Sequence, residues 1–324
     1  MKSPLLSLPG AVPAEGVDEG VAAHYGDLFR EQRTLADGTG FVDLSHRGVI
    51  AVSGSDRLSW LHLLLTQHVS DLPAGRATEA LILSAHGHIE HALYLVDDGE
   101  TVWMHTEPGT QDALIAYLES MKFFYRVEVA DRTGEFAVVH LPAGSIAEVP
   151  DGVVVRETPY GRDLFLPRAD LEAFAADTAQ HGPAVGLLAY EALRVEHHLP
   201  RLGFETDHRT IPHELGWIGS AVHLQKGCYR GQETVARVHN LGKPPRRLVF
   251  LHLDGSEVHL PPHGTELRVA DDGPDGRKIG FVTTSVRHHE LGPIALALVK
   301  RNVPPDARLL ADTTAAAQEV VVEP

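Results

Sequence analysis

The stretch KGCYRGQE, residues 226–233, holds the only cysteine of the chain, Cys228, between Lys226 and Arg230 and bracketed by Gly227 and Gly231. A helical pattern, GQETVARVHN, begins at Gly231, so the thiol is expected on a loop feeding a helix amino terminus. That dipole and two nearby cations favour a thiolate. The two glycines admit backbone angles that other residues resist and would let a ligand approach closely. A free cysteine is also often just a small apolar residue, and spacing alone leaves both readings open. No His and Asp can be assigned to Cys228 from the sequence, which gives a Cys-His hydrolase little support.

The histidines are the other chemistry-bearing group. HGHIEHALYL (86–95) carries His86, His88 and His91 with Glu90. On a strand, positions 86 and 88 share a face and 91 takes the other, so three ligands do not converge without a turn at Gly87, and no metal site is assigned. The adjacent pairs His197-His198 and His288-His289 diverge on any regular element and are expected on the surface.

These residues must be positioned by mixed elements. Residues 1–20 read as a flexible Pro/Gly-rich leader, followed by a short helix over 24–35. FVDLSHRGVIAVSG alternates as strands do, and Asp56 is placed to cap the helix LSWLHLLLTQH. EALILSA and HIEHALYLV form a hairpin about His86-Gly87. A helix follows at 110–121, then the strands YRVEVADR, FAVVHLP and GVVVRETPYGRDLFLP, and a helix in DLEAFAADTAQHG. LAYEALRVEHHL reads as an amphipathic helix with Arg194 and Glu196 exposed. Such runs indicate α+β lobes, and no GxGxxG or GxxxxGK[ST] phosphate loop occurs. The composition changes at LGKPPRR (241–247), a domain boundary; beyond it, short strands with Pro, Gly and Asp turns predict an antiparallel barrel or sandwich of roughly five to seven strands. The resulting division is 1–20 leader, 21–242 α+β unit of two lobes, and 243–324 barrel.

Composition sets the outer limits. The 324 residues, 43% hydrophobic and 22% charged, suit two or three packed units of a soluble protein. With 28 Lys plus Arg against 44 Asp plus Glu, the net charge of −16 opposes broad nucleic-acid binding, which rests on many phosphate contacts. One cysteine excludes an internal disulfide and zinc sites of four thiolates, or of two thiolates with two imidazoles, within one chain. Prolines 4, 9 and 13 interrupt the amino-terminal apolar run, and no stretch reaches the ~20 apolar residues of a membrane span. The expected setting is reducing and cytoplasmic.

Lys226-Gly227-Cys228-Tyr229 with Gly231-Gln232-Glu233 resembles the K-G-C-Y-x-G-Q-E signature of the YgfZ family, folate-binding relatives of the glycine-cleavage T-protein, at all seven fixed positions. VDLSHRGVIAVSGSDRLSWLHLLLTQHVSDLPAG, LRVEHHLPRLGFETDHRTIP and GFVTTSV…GPIALALVKR extend the likeness to the wider superfamily over all but residues 1–20 and 125–185. The resemblance implies a T-protein-like folate-binding unit of two α+β lobes around a central cavity, followed by a C-terminal antiparallel β-barrel. It implies tetrahydrofolate or a derivative as ligand, with Glu196 of the R-x-E segment accepting adjacent pterin N–H groups. Glu205, Asp207 and Pro212 would shape the pocket floor or form a plain acidic loop. Trp217 and Tyr229 become candidates to stack on the ligand, and Lys226 or Arg230 to neutralise a folate carboxylate. Cys228 is implied as a reactive thiol touching a transient iron–sulfur cluster or a one-carbon unit. The implied role is support of iron–sulfur cluster assembly or repair in client enzymes, tRNA-modifying ones included. One departure stands against aminomethyl transfer: His91 and Ala92 occupy the places of the family's Asp pair, with Glu90 at the free position. Neither an imidazole nor a methyl supplies that anion. A folate-dependent one-carbon transferase and a non-catalytic interaction protein with a vestigial folate site are the alternatives.

Overall fold

The computed structural model describes residues 2–256, 258–272 and 276–323. In chain order its first elements are β1 (Val12–Pro13), β2 (Ala22–His24), α1 (Leu28–Ala36), β3 (Phe41–Asp43), β4 (Gly48–Ser53), α2 (Arg57–Leu64), β5 (Ala77–Leu83), β6 (Ile89–Asp97), β7 (Thr101–Thr106), α3 (Gln111–Ser120) and β8 (Glu128–Asp131). There follow β9 (Phe136–Pro142), β10 (Val154–Thr158), β11 (Gly161–Pro167), α4 (Leu171–Thr178), β12 (Ala184–Val185), α5 (Leu187–Glu196), α6 (Gln232–Leu241), and the strands β13 (Arg246–Leu253), β14 (Glu266–Val269), β15 (Gly280–His288), β16 (Gly292–Lys300), β17 (Leu309–Ala311) and β18 (Thr314–Val320).

Two compact units result: residues 1–82 with 91–190, and residues 83–90 with 191–324. The first contains two five-stranded sheets, ordered β5-β6-β7-β4-β8 and β10-β11-β9-β3-β12. Ile50, Leu93, Leu95 and Met104 from the first sheet pack with Trp60, Leu61, Leu114 and Leu118 of α2 and α3. The indole N–H of Trp60 donates to the Met121 carbonyl at 2.9 Å, so a large buried ring loses no hydrogen bond. Asp56 precedes α2 but makes no side-chain cap. Its carboxylate instead accepts from the Arg126 guanidinium at 2.8 and 3.1 Å, an exposed pair of small energetic weight.

The segment read as a flexible leader is packed. Leu5 is buried, Ser3 donates its hydroxyl to Asp43 and its N–H to the Gly20 carbonyl, and β1 pairs antiparallel with β2. Apolar anchors at Leu5, Ala14 and Val21 outweigh the turn-forming composition that suggested mobility.

Strands β7, β9 and β11 contribute His105, His140 and Asp163, and the second sheet brings the last two together. Asp163 on β11 lies directly opposite His140 on β9, whose Nδ1 is 2.8 Å from Asp163 Oδ1. Arg156 donates to Asp163 Oδ2 at 2.7 Å, and His105 Nε2 on β7 lies 3.2 Å from the same oxygen. Burial alone would raise the Asp163 carboxyl; hydrogen bonds from His105 and His140 and the Arg156 charge overcome it and hold it well below the usual range. Burial pushes His105 the other way, down to about 4.

The second unit contains a closed six-stranded barrel, β13-β16-β15-β14-β17-β18, filled by Val249, Leu251, Val282, Ala295, Ala297 and Val299. The composition change at 241–247 coincides with entry into β13, yet the compact units divide earlier, between Tyr190 and Glu191. Side chains of 191–215 explain this. Arg246, at the start of β13, donates to Asp207 at 2.6 and 3.1 Å and to both oxygens of Glu214 at 2.9 Å, stitching the preceding loop to the barrel.

The depressed His105 and Asp163 act on stability with the same sign. The unfolded chain takes up a proton on His105 near the ordinary histidine value while the native state refuses it, so stability is complete above that value and falls as pH drops. Thermal melting should weaken steadily from neutrality toward acid, with His105 alone contributing ~2 kcal/mol of loss near pH 5. His105→Gln should flatten that slope; a wild-type melting temperature independent of pH over this interval contradicts the assignment.

Candidate functional site

The Cys228 loop belongs to the second unit and ends at Gly231, which sits at the amino-terminal cap of α6 with φ 84°. Two features demand glycine there. The left-handed angle disfavours a side chain, and a Cβ would lie 2.6 Å from the Ser84 carbonyl and 3.0 Å from Gly87 Cα. Gly87, at the tip of the β5–β6 hairpin with φ 80°, would in turn push a Cβ to 2.8 Å from Thr234. Hairpin tip and helix start thus meet backbone to backbone. Arg230 Nη1 donates to Glu90 Oε2 at 2.9 Å across the same junction, and Ile89 N–H donates to the Thr210 carbonyl at 2.9 Å. Gly227 faces open space, and Cys228 is exposed.

The cations beside the thiol carry less free charge than their sequence suggests. Arg230 is engaged by Glu90. Lys226 is buried, its ammonium 5.1 Å from the Tyr229 ring centroid, and burial lowers it to about 8 while Cys228 pulls in the opposite direction. Tyr229 is itself covered, its phenol pushed up to about 12 by burial, and Trp217 is 4% exposed. Tyr229 nevertheless lines a small pocket with Leu224, Gln232 and Val235. In the first turn of α6, Glu233 is exposed and pairs with Arg237 at 2.8 Å, and its charge suits the positive helix end.

Glu196 is the last residue of α5 and its side chain is 37% exposed. The helix ends abruptly after it: Leu199 N–H donates to the Arg194 carbonyl and His198 N–H to the Val195 carbonyl, with His198 left-handed at φ 56°. That bond pair is a Schellman turn built on histidine instead of glycine. The Glu196 carboxylate therefore stands at the negative helix end, where an anion is disfavoured unless it meets donors. One is present: His288 Nε2 lies 3.3 Å from Glu196 Oε2. His288 and the side chain of His289 are buried, contrary to the surface position expected for an adjacent pair, because the turn after β15 folds both rings inward with centroids 4.5 Å apart.

Of the remaining acids of the segment, Glu205 forms a buried clasp, while Asp207 is partly exposed and pairs with Arg246. Glu205 is fully buried. Its Oε2 accepts from Arg194 Nη1 and from Arg201 N–H, both at 2.9 Å, and Oε1 accepts from Thr284 at 2.6 Å with the Thr283 hydroxyl at 2.8 Å. Adjacent strand residues ordinarily face opposite sides; a bulge between Val282 and Thr284 lets both hydroxyls reach one carboxylate. Arg194 is saturated by Glu191, Glu205, the Leu199 carbonyl and Thr284. Sequence reading missed this network and His288. The one available signal was the run of short polar residues, Thr283-Thr284-Ser285, inside an otherwise strand-like apolar segment.

His91 is buried on β6, with its ring 6.4 Å from Tyr117, and Ala92 beside it is covered. Among the described residues, no group of three or more His, Cys, Asp or Glu side chains is placed to hold a metal ion, and no helix is long and apolar enough to cross a membrane.

Glu205→Gln turns one acceptor of a saturated carboxylate into a donor facing other donors. The expected loss in urea unfolding is about 3–5 kcal/mol, the scale for breaking a buried ion pair, against roughly 1 kcal/mol for Thr284→Val. Equal small losses for both would show that Glu205 is not the clasp.

Residues 22–147 match the GCVT N-terminal domain family. Aminomethyltransferase of Herpetosiphon aurantiacus is 26% identical over 92% of this chain and 90% of its own length. The Geobacillus kaustophilus aminomethyltransferase is 28% identical, covering 93% of this chain and 91% of that one. Among solved structures, glycine cleavage system aminomethyltransferase T from Bartonella henselae superposes with a TM-score of 0.82 at 20% identity, over 98% of this chain and 94% of that one. The chain has the T-protein-like fold, mixed α and β with a closed carboxy-terminal barrel, and these matches support its place in the T-protein-like superfamily.

Proposed function

We propose that the protein binds tetrahydrofolate or a derivative and acts, as a YgfZ-type accessory factor, in the assembly or repair of iron–sulfur clusters in client enzymes, including those that modify tRNA. The observation that carries the ligand half is the Glu196 carboxylate, partly open and fixed at the negative end of α5. An anion so placed is best satisfied by N–H donors, and a pterin offers two side by side at its amino and ring positions. The client half rests on the intact K-G-C-Y-x-G-Q-E loop, with Cys228 exposed on a scaffold locked by the Gly231–Gly87 contact. One thiol supplies one ligand, so a cluster that Cys228 touches transiently takes its other ligands from elsewhere, the client included.

A second reading, folate-dependent aminomethyl transfer, is favoured by the relatives, which carry that name over nine-tenths of this chain. Against it stands the His91-Ala92 pair, both buried, which puts no carboxylate where the transferase needs its anion.

Calorimetric titration with tetrahydrofolate, run beside recovery of a cluster-dependent enzyme in a strain lacking this protein, separates the readings. Glu196→Ala should weaken binding at least tenfold, the cost of losing charge-assisted hydrogen bonds, and Cys228→Ala should bind normally yet fail to restore the enzyme. Full restoration by Cys228→Ala removes the thiol's role. Turnover of an aminomethyl donor would establish the transferase instead.

A further inference from the structure

The imidazole facing Glu196 is fixed in one tautomer by its own backbone. His288 Nδ1 accepts two main-chain N–H groups, from Glu290 at 3.2 Å and Leu291 at 3.1 Å, in the turn leaving β15. A nitrogen accepting two donors carries no proton, so the hydrogen of the neutral ring resides on Nε2. That nitrogen is the one 3.3 Å from Glu196 Oε2. The ring cannot rotate to exchange its nitrogens without abandoning both amides and its contact with His289. Burial lowers His288 below the ordinary histidine value, with Glu196 opposing and His289 reinforcing the shift, so a neutral ring prevails at neutrality.

We infer that His288 is a positioning residue for the ligand-binding carboxylate: its Nε2–H occupies one lone pair of Glu196 Oε2 and locks the carboxylate plane. Oε1 and the second lone pair of Oε2 remain to accept a forked pair of N–H groups. The ligand class follows from that residual geometry. It is a flat heterocycle presenting an exocyclic amine beside a ring N–H, and a ligand offering acceptors on that edge is refused. This deepens the folate reading and rests on it for the ligand's identity, while the His288–Glu196 pair itself exists without ligand.

The pair is tested first on the ligand-free protein. Long-range nitrogen–proton NMR of the histidine side chains should show His288 protonated on Nε2 with Nδ1 as acceptor; the opposite tautomer, or rapid exchange between the two, overturns the proposal. Tetrahydrofolate titration of His288→Leu should then show affinity reduced roughly tenfold or more, whereas His288→Gln, which keeps a donor at the place of Nε2, should stay within about threefold of wild type. Equal affinity for His288→Leu and wild type overturns the positioning role. Should His288→Leu fail to fold, the Gln variant and the tautomer measurement still decide, because a glutamine that folds but loses binding contradicts the donor's function. A wild type that shows the expected tautomer but no tetrahydrofolate binding overturns the ligand reading and leaves the pair standing.

Discussion

A carboxylate at the carboxy-terminal end of a helix faces the negative end of the backbone dipoles, and the candidate site depends on how Glu196 is held in that position. The fold meets the constraint by truncation and by donation. The turn at His198 ends α5 within two residues, and the Glu196 side chain at that end stays partly exposed. The His288 ring supplies an N–H and remains neutral, so it satisfies part of the carboxylate without cancelling its charge. What remains is a fixed anionic acceptor, suited to N–H donors and hostile to acids.

Rigidity around it comes from side chains that bind nothing but the protein. Arg194, two residues before Glu196, is buried between Glu191 and Glu205, and Glu205 is anchored to barrel residues Thr283 and Thr284 on the strand that ends in His288. Glu196 and His288 are therefore borne by elements joined through one saturated carboxylate. A preorganised site of this kind spends little binding energy on ordering its own side chains. The Cys228 loop is built on another principle, close backbone approach, in which Gly87 and Gly231 are required because no Cβ fits between hairpin tip and helix.

Local features were well marked in the sequence. Helical spacing located the helix that became α3, the His86-Gly87 turn located the β5–β6 hairpin, and the Pro-Pro break before Arg246 marked entry to the barrel. The cysteine loop stood out by its single thiol among basic and glycine neighbours, and Glu196 was found through family likeness. The Glu205 clasp left only the Thr283-Thr284-Ser285 run as a trace and the Asp163 cluster left none, because their partners come from separate elements and a lone His within an apolar strand has no period to betray it. His288-His289 was misplaced for a related reason: alternation sends neighbours to opposite faces, but β15 ends at His288 and the turn beyond it obeys no such rule. The leader was misjudged because composition reports turn propensity and not the few apolar contacts, such as Leu5, that order a segment.

The central claim is that the Glu196 carboxylate receives the pterin edge. A crystal structure of this protein grown with tetrahydrofolate examines it directly. The account requires both Glu196 oxygens within hydrogen-bonding distance of the exocyclic amine and the adjacent ring N–H, with His288 Nε2 still on Oε2. A pterin bound elsewhere, or turned so that its acceptor edge faces Glu196, would contradict it.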